Sequence, residues 1–340
     1  MGGDGIGREV VDAAIEALEA TGAGLEILRP PHGIDVPGGF PDDTRRVCDN
    51  ADAILFGAAE RASEPVLMYL RVHRNTYANI RPVTALFATN QAVDLVIVRE
   101  LSEGLYLGLE GDLSELRDRW PEMRDWVGRP LPAVGKFAIR VVTPDATRRI
   151  GRYAAQLAAH RATRRGRPGR VTIVTKENVL AATDGLFRSI CEEEARAADV
   201  TCDHLYIDET ARRLAARPEQ FDVIVTTNLF GDVISDVASE AVGGMPVAPS
   251  AGFGDGFAYF EPVHGSGPDI VGKGVANPIG AMLSSAMALY HLGFASESSR
   301  MVAAVQASVR SGVRTPDMGG SSTTRQVVAA VCSALEGKPR

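Results

Sequence analysis

Along residues 8–20 the apolar side chains Val10, Val11, Ala14, Ile15 and Leu18 recur every three or four positions, the period of one helix face. Short, mostly apolar runs follow at 53–57, 93–98, 171–175 and 222–226, and each predicts a strand. Helical spacing returns at 146–160 and 186–197. Residues 276–292 predict a largely buried helix, and 300–311 and 322–335 predict two more. The basic stretch R-A-T-R-R-G-R-P-G-R at 161–170 predicts a solvated turn, because no aromatic side chains interleave its charges as in a nucleic-acid surface. Glycine and proline crowd 243–257, which predicts a loop. No internal repeat is visible. Strands alternating with helices predict an α/β protein.

Composition narrows this picture. A chain of 340 residues fits two domains, and 45% hydrophobic with 23% charged residues fits a soluble globular protein. A net charge of -7 argues against a general nucleic-acid binder. Cys48, Cys191, Cys202 and Cys332 are scattered without metal spacing, so a reduced, cytoplasmic setting is expected. No run of eighteen apolar residues suggests a membrane span, and M-G-G-D-G-I-G lacks the basic-then-apolar order of a secretory signal.

The chemistry concentrates in a few places. In N-L-F-G-D-V-I-S-D-V-A-S-E, at 228–240, Asp232 and Asp236 share a face if the segment is helical. Paired acids among apolar neighbours are costly without compensation. With Asp208 they form an acidic set suited to Mg²⁺ or Mn²⁺, the alternative being a solvated helix face. Arg71, Arg81 and Arg99 are either a bidentate clamp for carboxylates or structural ion pairs. Tyr106 and Lys176 are either proton donors and acceptors tuned by a pocket or ordinary packing residues. Gly3–Gly7 opens into a helix but is not a full dinucleotide fingerprint, and no strand precedes it. E-P-V-H-G-S-G-P-D-I-V-G-K-G-V-A-N-P, at 261–278, is richer. Its glycines allow close backbone approach and its Asp269 could accept ribose hydroxyls, or the segment is a structural loop. These residues together point to an enzyme with an anionic substrate, a hard metal and a nucleotide.

G-D-G-I-G, L-R-x7-N-I-R-P, V-R-E-L-S-E-G-L-Y, T-K-E-N-V-L, Y-I-D, N-L-F-G-D-V-I-S-D and the 261–278 segment together resemble the β-decarboxylating dehydrogenases, from Gly3 to about Gly320. That family acts on 3-isopropylmalate, isocitrate, homoisocitrate, tartrate or D-malate. The resemblance implies a two-domain isopropylmalate/isocitrate dehydrogenase-like fold that is not a Rossmann fold. A large cofactor-binding domain would hold 1–76 and 243–340, and a small domain, 77–242, the dimer interface and arm. It implies a homodimer with shared active sites. Arg71, Arg81 and Arg99 would grip a dicarboxylate substrate. Asp232 and Asp236 would hold the metal with Asp208 of the other subunit, which would also lend Lys176. Tyr106 would be the catalytic tyrosine. Ile6, Glu261, His264, Gly265, Ser266, Asp269 and Asn277 would hold NAD. The implied chemistry is oxidation at C2 by NAD, with Lys176 moving the hydroxyl proton, then loss of CO₂ and protonation of the enol carbon by Tyr106.

Further features refine that expectation. Relatives that use NADP resemble this stretch but carry a Lys-Tyr pair where this chain has Asp269 and Ile270, so NAD is expected. Leu67 and Met68 precede Arg71 and offer no hydrogen bond to a third carboxylate, which favours 3-isopropylmalate and leucine biosynthesis over isocitrate, homoisocitrate or D-malate. A non-catalytic regulatory paralogue is the distant alternative. Family members also carry about six apolar residues before G-D-G-I-G, so a truncated or misassigned start is expected. Residues 58–70 are compact, as in the archaeal-type branch, and 111–140, the arm region, match weakly.

Overall fold

Side chains that are apolar on both faces of a strand can only be buried in a sheet's interior. A computed structural model, which describes residues 1–33, 36, 38–85 and 93–337, places the runs at 93–98, 171–175 and 222–226 there and the run at 53–57 in an edge strand of the sheet. In chain order the elements are α1 (Gly7–Ala20), α2 (Asp42–Asn50), β1 (Ile54–Leu55), α3 (Glu64–Met68), β2 (Ala78–Thr84), β3 (Asp94–Glu100), β4 (Glu110–Asp112), α4 (Leu113–Arg119), β5 (Lys136–Ala138), α5 (Pro144–Arg165) and β6 (Arg170–Thr175). They continue with α6 (Ala181–Ala197), β7 (Thr201–Tyr206), α7 (Ile207–Ala216), β8 (Val223–Thr226), α8 (Asn228–Ser239), β9 (Pro249–Gly254), β10 (Phe257–Pro262), α9 (Ile279–His291), α10 (Ala295–Arg310) and α11 (Thr324–Leu335).

One eight-stranded sheet runs β1-β10-β9-β2-β3-β8-β6-β7, and β4 and β5 form a separate ribbon. The pairs from β10 through β9 and β2 to β3 are antiparallel, whereas β3, β8, β6 and β7 are parallel. In β3, Val96 and Val98 pack with α5 and α6, and Leu95 and Ile97 pack with α7 and α8. Helices α1, α9, α10 and α11 share a third apolar cluster. A Thr323–Gln326 capping box starts α11. Behind β2 and β9 lies a cavity of about 590 Å³, lined by Ile80, Pro82, Tyr153, Phe253, Leu283 and Met287 among others.

Two expectations need correction. The predicted basic turn is helical as far as Arg165, and two of its arginines turn inward: Arg161 Nε donates to Asp222 at 2.8 Å, and Arg165 pairs with Asp94 and Asp222, while Arg164 and Arg167 stay exposed. The predicted loop at 243–257 contains β9. Its Gly252 sits under the Tyr259 ring, where an added Cβ would lie 2.1 Å from Cε1. Gly252 and Gly254 are in the strand because other groups press on it, whereas Gly243, Gly244 and Gly256 serve the positive-φ turns around it. Residues 1–3 run beside the first strand. Gly57 N donates to Met1 O at 3.0 Å, Ala58 N to Gly2 O at 3.2 Å, and Gly3 bridges Ala58 in parallel.

Candidate active site

Residue alternation decides which side chains of β2 and β3 meet α8. Asn79 lies opposite Arg99 and Arg81 opposite Ile97, so Asn79, Arg81 and Arg99 share the face toward α8. The helix approaches closely because Gly231 has no side chain: an added Cβ would stand 2.7 Å from Arg99 Cβ. Arg99 is almost fully buried. Its Nε and Nη2 donate to Asn228 Oδ1 at 3.0 and 2.8 Å, and Nη1 pairs with Asp232. Arg81 Nη2 lies 3.1 Å from Asp232 Oδ1 and its Nη1 3.7 Å from Asp236 Oδ1, while its Nε donates to Asn79 at 2.8 Å. Arg71 stands in a π-helical turn, Tyr69–His73, and reaches the same region from the other side. It donates to Glu261 Oε1 at 2.8 Å and to the Tyr259 hydroxyl at 3.0 Å.

The electrostatics follow from this crowding. Burial lowers the Arg99 guanidinium to about 10, and Arg81 beside it acts the same way. Burial opposes the charge on Asp232, but Arg99, the Tyr106 hydroxyl and Arg81 outweigh it and hold the carboxyl below its usual range. Asp236 is the reverse, since burial pushes its carboxyl up despite Arg81. The paired acids therefore do share a helix face, and one of them is short of positive charge. The Tyr106 hydroxyl donates to Asp232 Oδ2 at 2.6 Å, and Arg99 sits over its ring at 5.0 Å. Burial and that hydrogen bond raise its pKa, which keeps the phenol protonated.

Lys176 and Asp208 form a second group. Lys176 Nζ pairs with Asp208, and that ion pair lowers the exposed Asp208 carboxyl. Among the described residues no three acidic, His or Cys side chains lie close enough to hold a metal together, so Asp208 is not beside Asp232 and Asp236 in this chain. Hard carboxylate oxygens, with Asp236 undercompensated, nevertheless fit a divalent cation.

The glycine-rich segment builds a third group. Ile6 N donates to Ser266 O at 2.8 Å, and Gly5, at φ 56°, leaves room for that oxygen. His264 is buried. Its Nδ1 meets Gly265 O at 3.0 Å, but its Nε2 has no hydrogen-bond partner among the described residues. A Cβ on exposed Gly265 would meet nothing within 4 Å, and Asp269 is exposed on a turn, Pro268–Ile270. An orphaned ring nitrogen beside open backbone fits a polar cofactor such as a dinucleotide. Asn277 Oδ1 accepts from Ile279 N at 3.0 Å and its amide donates to Asp317 at 2.8 Å, whereas Glu261 is engaged with Arg71. Leu67 packs partly into the Phe56–Tyr259 cluster and Met68 is exposed. The sequence does not single out Asn228, Asn79 or Asp4. Asp4 fastens the 57–63 turn by accepting from Glu60 N at 2.7 Å and Ser63 N at 2.9 Å. Asn228 heads the N-L-F-G-D motif, which is the signal that could have found it.

A family model described as isocitrate/isopropylmalate dehydrogenase matches residues 1–331. The chain belongs to the isocitrate/isopropylmalate dehydrogenase family. Members of this dehydrogenase family are β-decarboxylating oxidoreductases. The chain is 39% identical over 345 residues to a 3-isopropylmalate dehydrogenase of Archaeoglobus fulgidus, covering 98% of each chain. It is 40% identical over 348 residues to an isocitrate/homoisocitrate dehydrogenase of Thermus thermophilus, covering 98% of this chain and 97% of that one. The crystal structure of an isocitrate dehydrogenase from Methylococcus capsulatus superposes with a TM-score of 0.85 at 34% identity, covering 98% of both chains. The isopropylmalate/isocitrate dehydrogenase-like fold expected from the motifs is the fold observed. No described helix is long and apolar enough to cross a membrane.

Proposed function

We propose that this chain catalyses the metal-dependent, NAD-linked oxidative decarboxylation of 3-isopropylmalate. The observation that carries the reading is the convergence of Arg81, Arg99 and Tyr106 on Asp232. Arg81 and Arg99 bind carboxylate through their planar forks, and Arg71 adds a third cation held by Glu261. Tyr106 stays protonated and donates its proton to the enol carbon. Lys176, beside Asp208, helps remove the proton of the 2-hydroxyl, directly or through a water. A bound Mg²⁺ or Mn²⁺ would be held by Asp232 and Asp236 with Asp208 of the second copy and would supply Lewis acidity, and NAD held by Ile6, His264, Gly265, Ser266, Asp269 and Asn277 would supply the hydride acceptor.

The chain works as a homodimer in this reading. Lys176 and Asp208 stand apart from the Asp232 pair, so two copies complete one site. Exposed Val179, Tyr206, Leu229 and Val233, together with Trp126 and Val134 near the β4–β5 ribbon, support an apolar partner surface. The domain division at 1–76 plus 243–340 and 77–242 belongs to the same proposal. So does a cytoplasmic place in leucine biosynthesis, which suits four free cysteines.

An isopropyl group gains about 1–3 kcal/mol over a smaller substituent in an apolar pocket. A third carboxylate would need a cation there, and Arg74 is turned away, paired with Asp49 at 2.9 Å and stacked on Phe257 at 4.4 Å. The Thermus relative's name keeps homoisocitrate or isocitrate as the second reading. Steady-state kinetics with 3-isopropylmalate, isocitrate, homoisocitrate and D-malate, each with NAD and NADP and with Mg²⁺ or Mn²⁺, decides. The highest kcat/KM is expected for 3-isopropylmalate with NAD, and a win for a tricarboxylate would overturn the substrate reading.

A further inference from the structure

Arg140 lies in the weakly matching 111–140 stretch, outside every motif, yet it joins the elements that carry the candidate catalytic groups. Its Nη1 donates to Thr183 Oγ1 at 2.7 Å and stands 2.6 Å from Asp184 Oδ1, as an ion pair rather than a directed hydrogen bond. Its Nη2 donates to Thr227 Oγ1 at 3.0 Å, and its guanidinium covers the Phe230 ring at 5.4 Å. The Asp184 side chain is 0% exposed and Arg140 only 14%. The other oxygen of Asp184 accepts the backbone N–H of Lys176. Thr227 is the N-cap of α8, one residue before Asn228, which grips Arg99. The neighbouring Val141 accepts from Gly104 N at 3.0 Å, and Gly104 opens the turn that carries Tyr106. Lys176, the head of α8 and the Tyr106 turn thus meet at residues 140 and 141.

A buried carboxylate needs a cation, and an uncompensated one is strongly destabilising. That need alone would be met by a lysine. It does not explain a guanidinium that spans two helices, because a lysine ammonium cannot form this fork. We propose that Arg140 is a positioning residue: through Asp184 it fixes the backbone of Lys176, and through Thr227 it sets that lysine's register against α8. Arg140 does not touch the reacting atoms. The inference rests on the proton-transfer role given above to Lys176. In the homodimer, where Lys176 serves the neighbouring site, Arg140 ties the Asp232 helix of one site to the lysine of the other.

The test uses the full-length enzyme with Mg²⁺, NAD and its best acid, and compares Arg140→Gln, Arg140→Lys and Thr227→Val. Three quantities are read: kcat and both KM values, the melting temperature, and amide hydrogen exchange at 175–180 without substrate. Arg140→Gln is expected to lower kcat about tenfold or more, with each KM within about threefold. The Lys176 amide should exchange faster while amides inside β6 and β8 hold. Arg140→Lys keeps a cation on Asp184, so it should restore the slow exchange but only part of kcat. Thr227→Val should lower kcat with exchange at 176 unchanged. A purely structural role would change melting without that split, and kcat per folded molecule equal to the parent's in Arg140→Lys and Thr227→Val would overturn the proposal. So would unchanged exchange at Lys176 in Arg140→Gln. If Arg140→Gln does not fold, the other two variants decide. If the parent turns over none of the acids, the functional reading fails, and the exchange data still decide whether Arg140 anchors Lys176.

Discussion

Asp232 takes contacts from Arg81, Arg99 and Tyr106, and this crowding sets what single substitutions should do. Asp232→Asn keeps the shape and removes the charge, so Mn²⁺ affinity should fall roughly tenfold or more, read by calorimetric titration. An unchanged affinity would remove Asp232 from the metal site. Tyr106→Phe deletes the proton but keeps the ring under Arg99. Its kcat should drop about 100-fold while the acid's KM stays close to the parent's, and full turnover would assign the protonation to another group. Exposed Asp269 should repel the 2′-phosphate of NADP. The measurement is kcat/KM for the two dinucleotides, and a preference for NADP would refute the role given to that carboxylate. The acids and arginines were visible as costly charges in apolar company, whereas Tyr106 stood out only through the family resemblance. Asn228, Asn79 and Asp4 were not, because amide and short acidic side chains occur in any turn or cap, and only the fold shows what they hold.

At the scale of elements, α8 was only partly legible, through the four-residue spacing of its paired acids. Strand β2, A-N-I-R-P-V-T, was not. One of its faces belongs to the site and carries Asn79 and Arg81, which breaks the apolar pattern. The polar edge strand β7 was hidden for a similar reason, and the pairing of Arg161 and Arg165 with Asp94 and Asp222 joins segments too distant for any local pattern. Close approach of α8 to β3 depends on Gly231. Gly231→Ala should push the helix off Arg99 and lower both kcat and melting temperature, whereas an unperturbed enzyme would mean that the backbone yields there cheaply. Between α5 and α6, Glu194 is gripped by Arg152 at 3.0 Å and Arg148 at 3.0 Å. Burial alone would raise its carboxyl, but these arginines win and lower it. A carboxyl depressed by folding contributes stability above its unfolded pKa and loses it as pH falls through the folded one. Glu194→Gln should therefore flatten the acid side of a melting-temperature profile between pH 5 and the acid limit of folding, a window of roughly two pH units, and an unaltered slope would rule that ion pair out as a source of acid lability.

Across the whole molecule the sheet is continuous but unevenly sewn. Strand β2 pairs with β3 at seven positions from Ala78↔Glu100 to Thr84↔Asp94, but with β9 at only three, Ala78↔Phe253 to Ile80↔Ala251. The 590 Å³ cavity lies directly behind that short pairing, so little packing backs it. Mechanically, this makes a compliant line through the middle of the sheet, where a torque on it is expected to be relieved. The three arginines straddle it: Arg81 and Arg99 stand on β2 and β3, whereas Arg71 is held by Tyr259 and Glu261 on β10. A dicarboxylate spanning them acts as a staple across the line. Amides at 78–80 and 251–253 should exchange faster than those within β3 and β8 in the free enzyme, and should slow when the acid binds. Equal rates with and without ligand would mean the sheet is as stiff across this line as elsewhere, and the substrate would then meet a clamp already set rather than one it draws together.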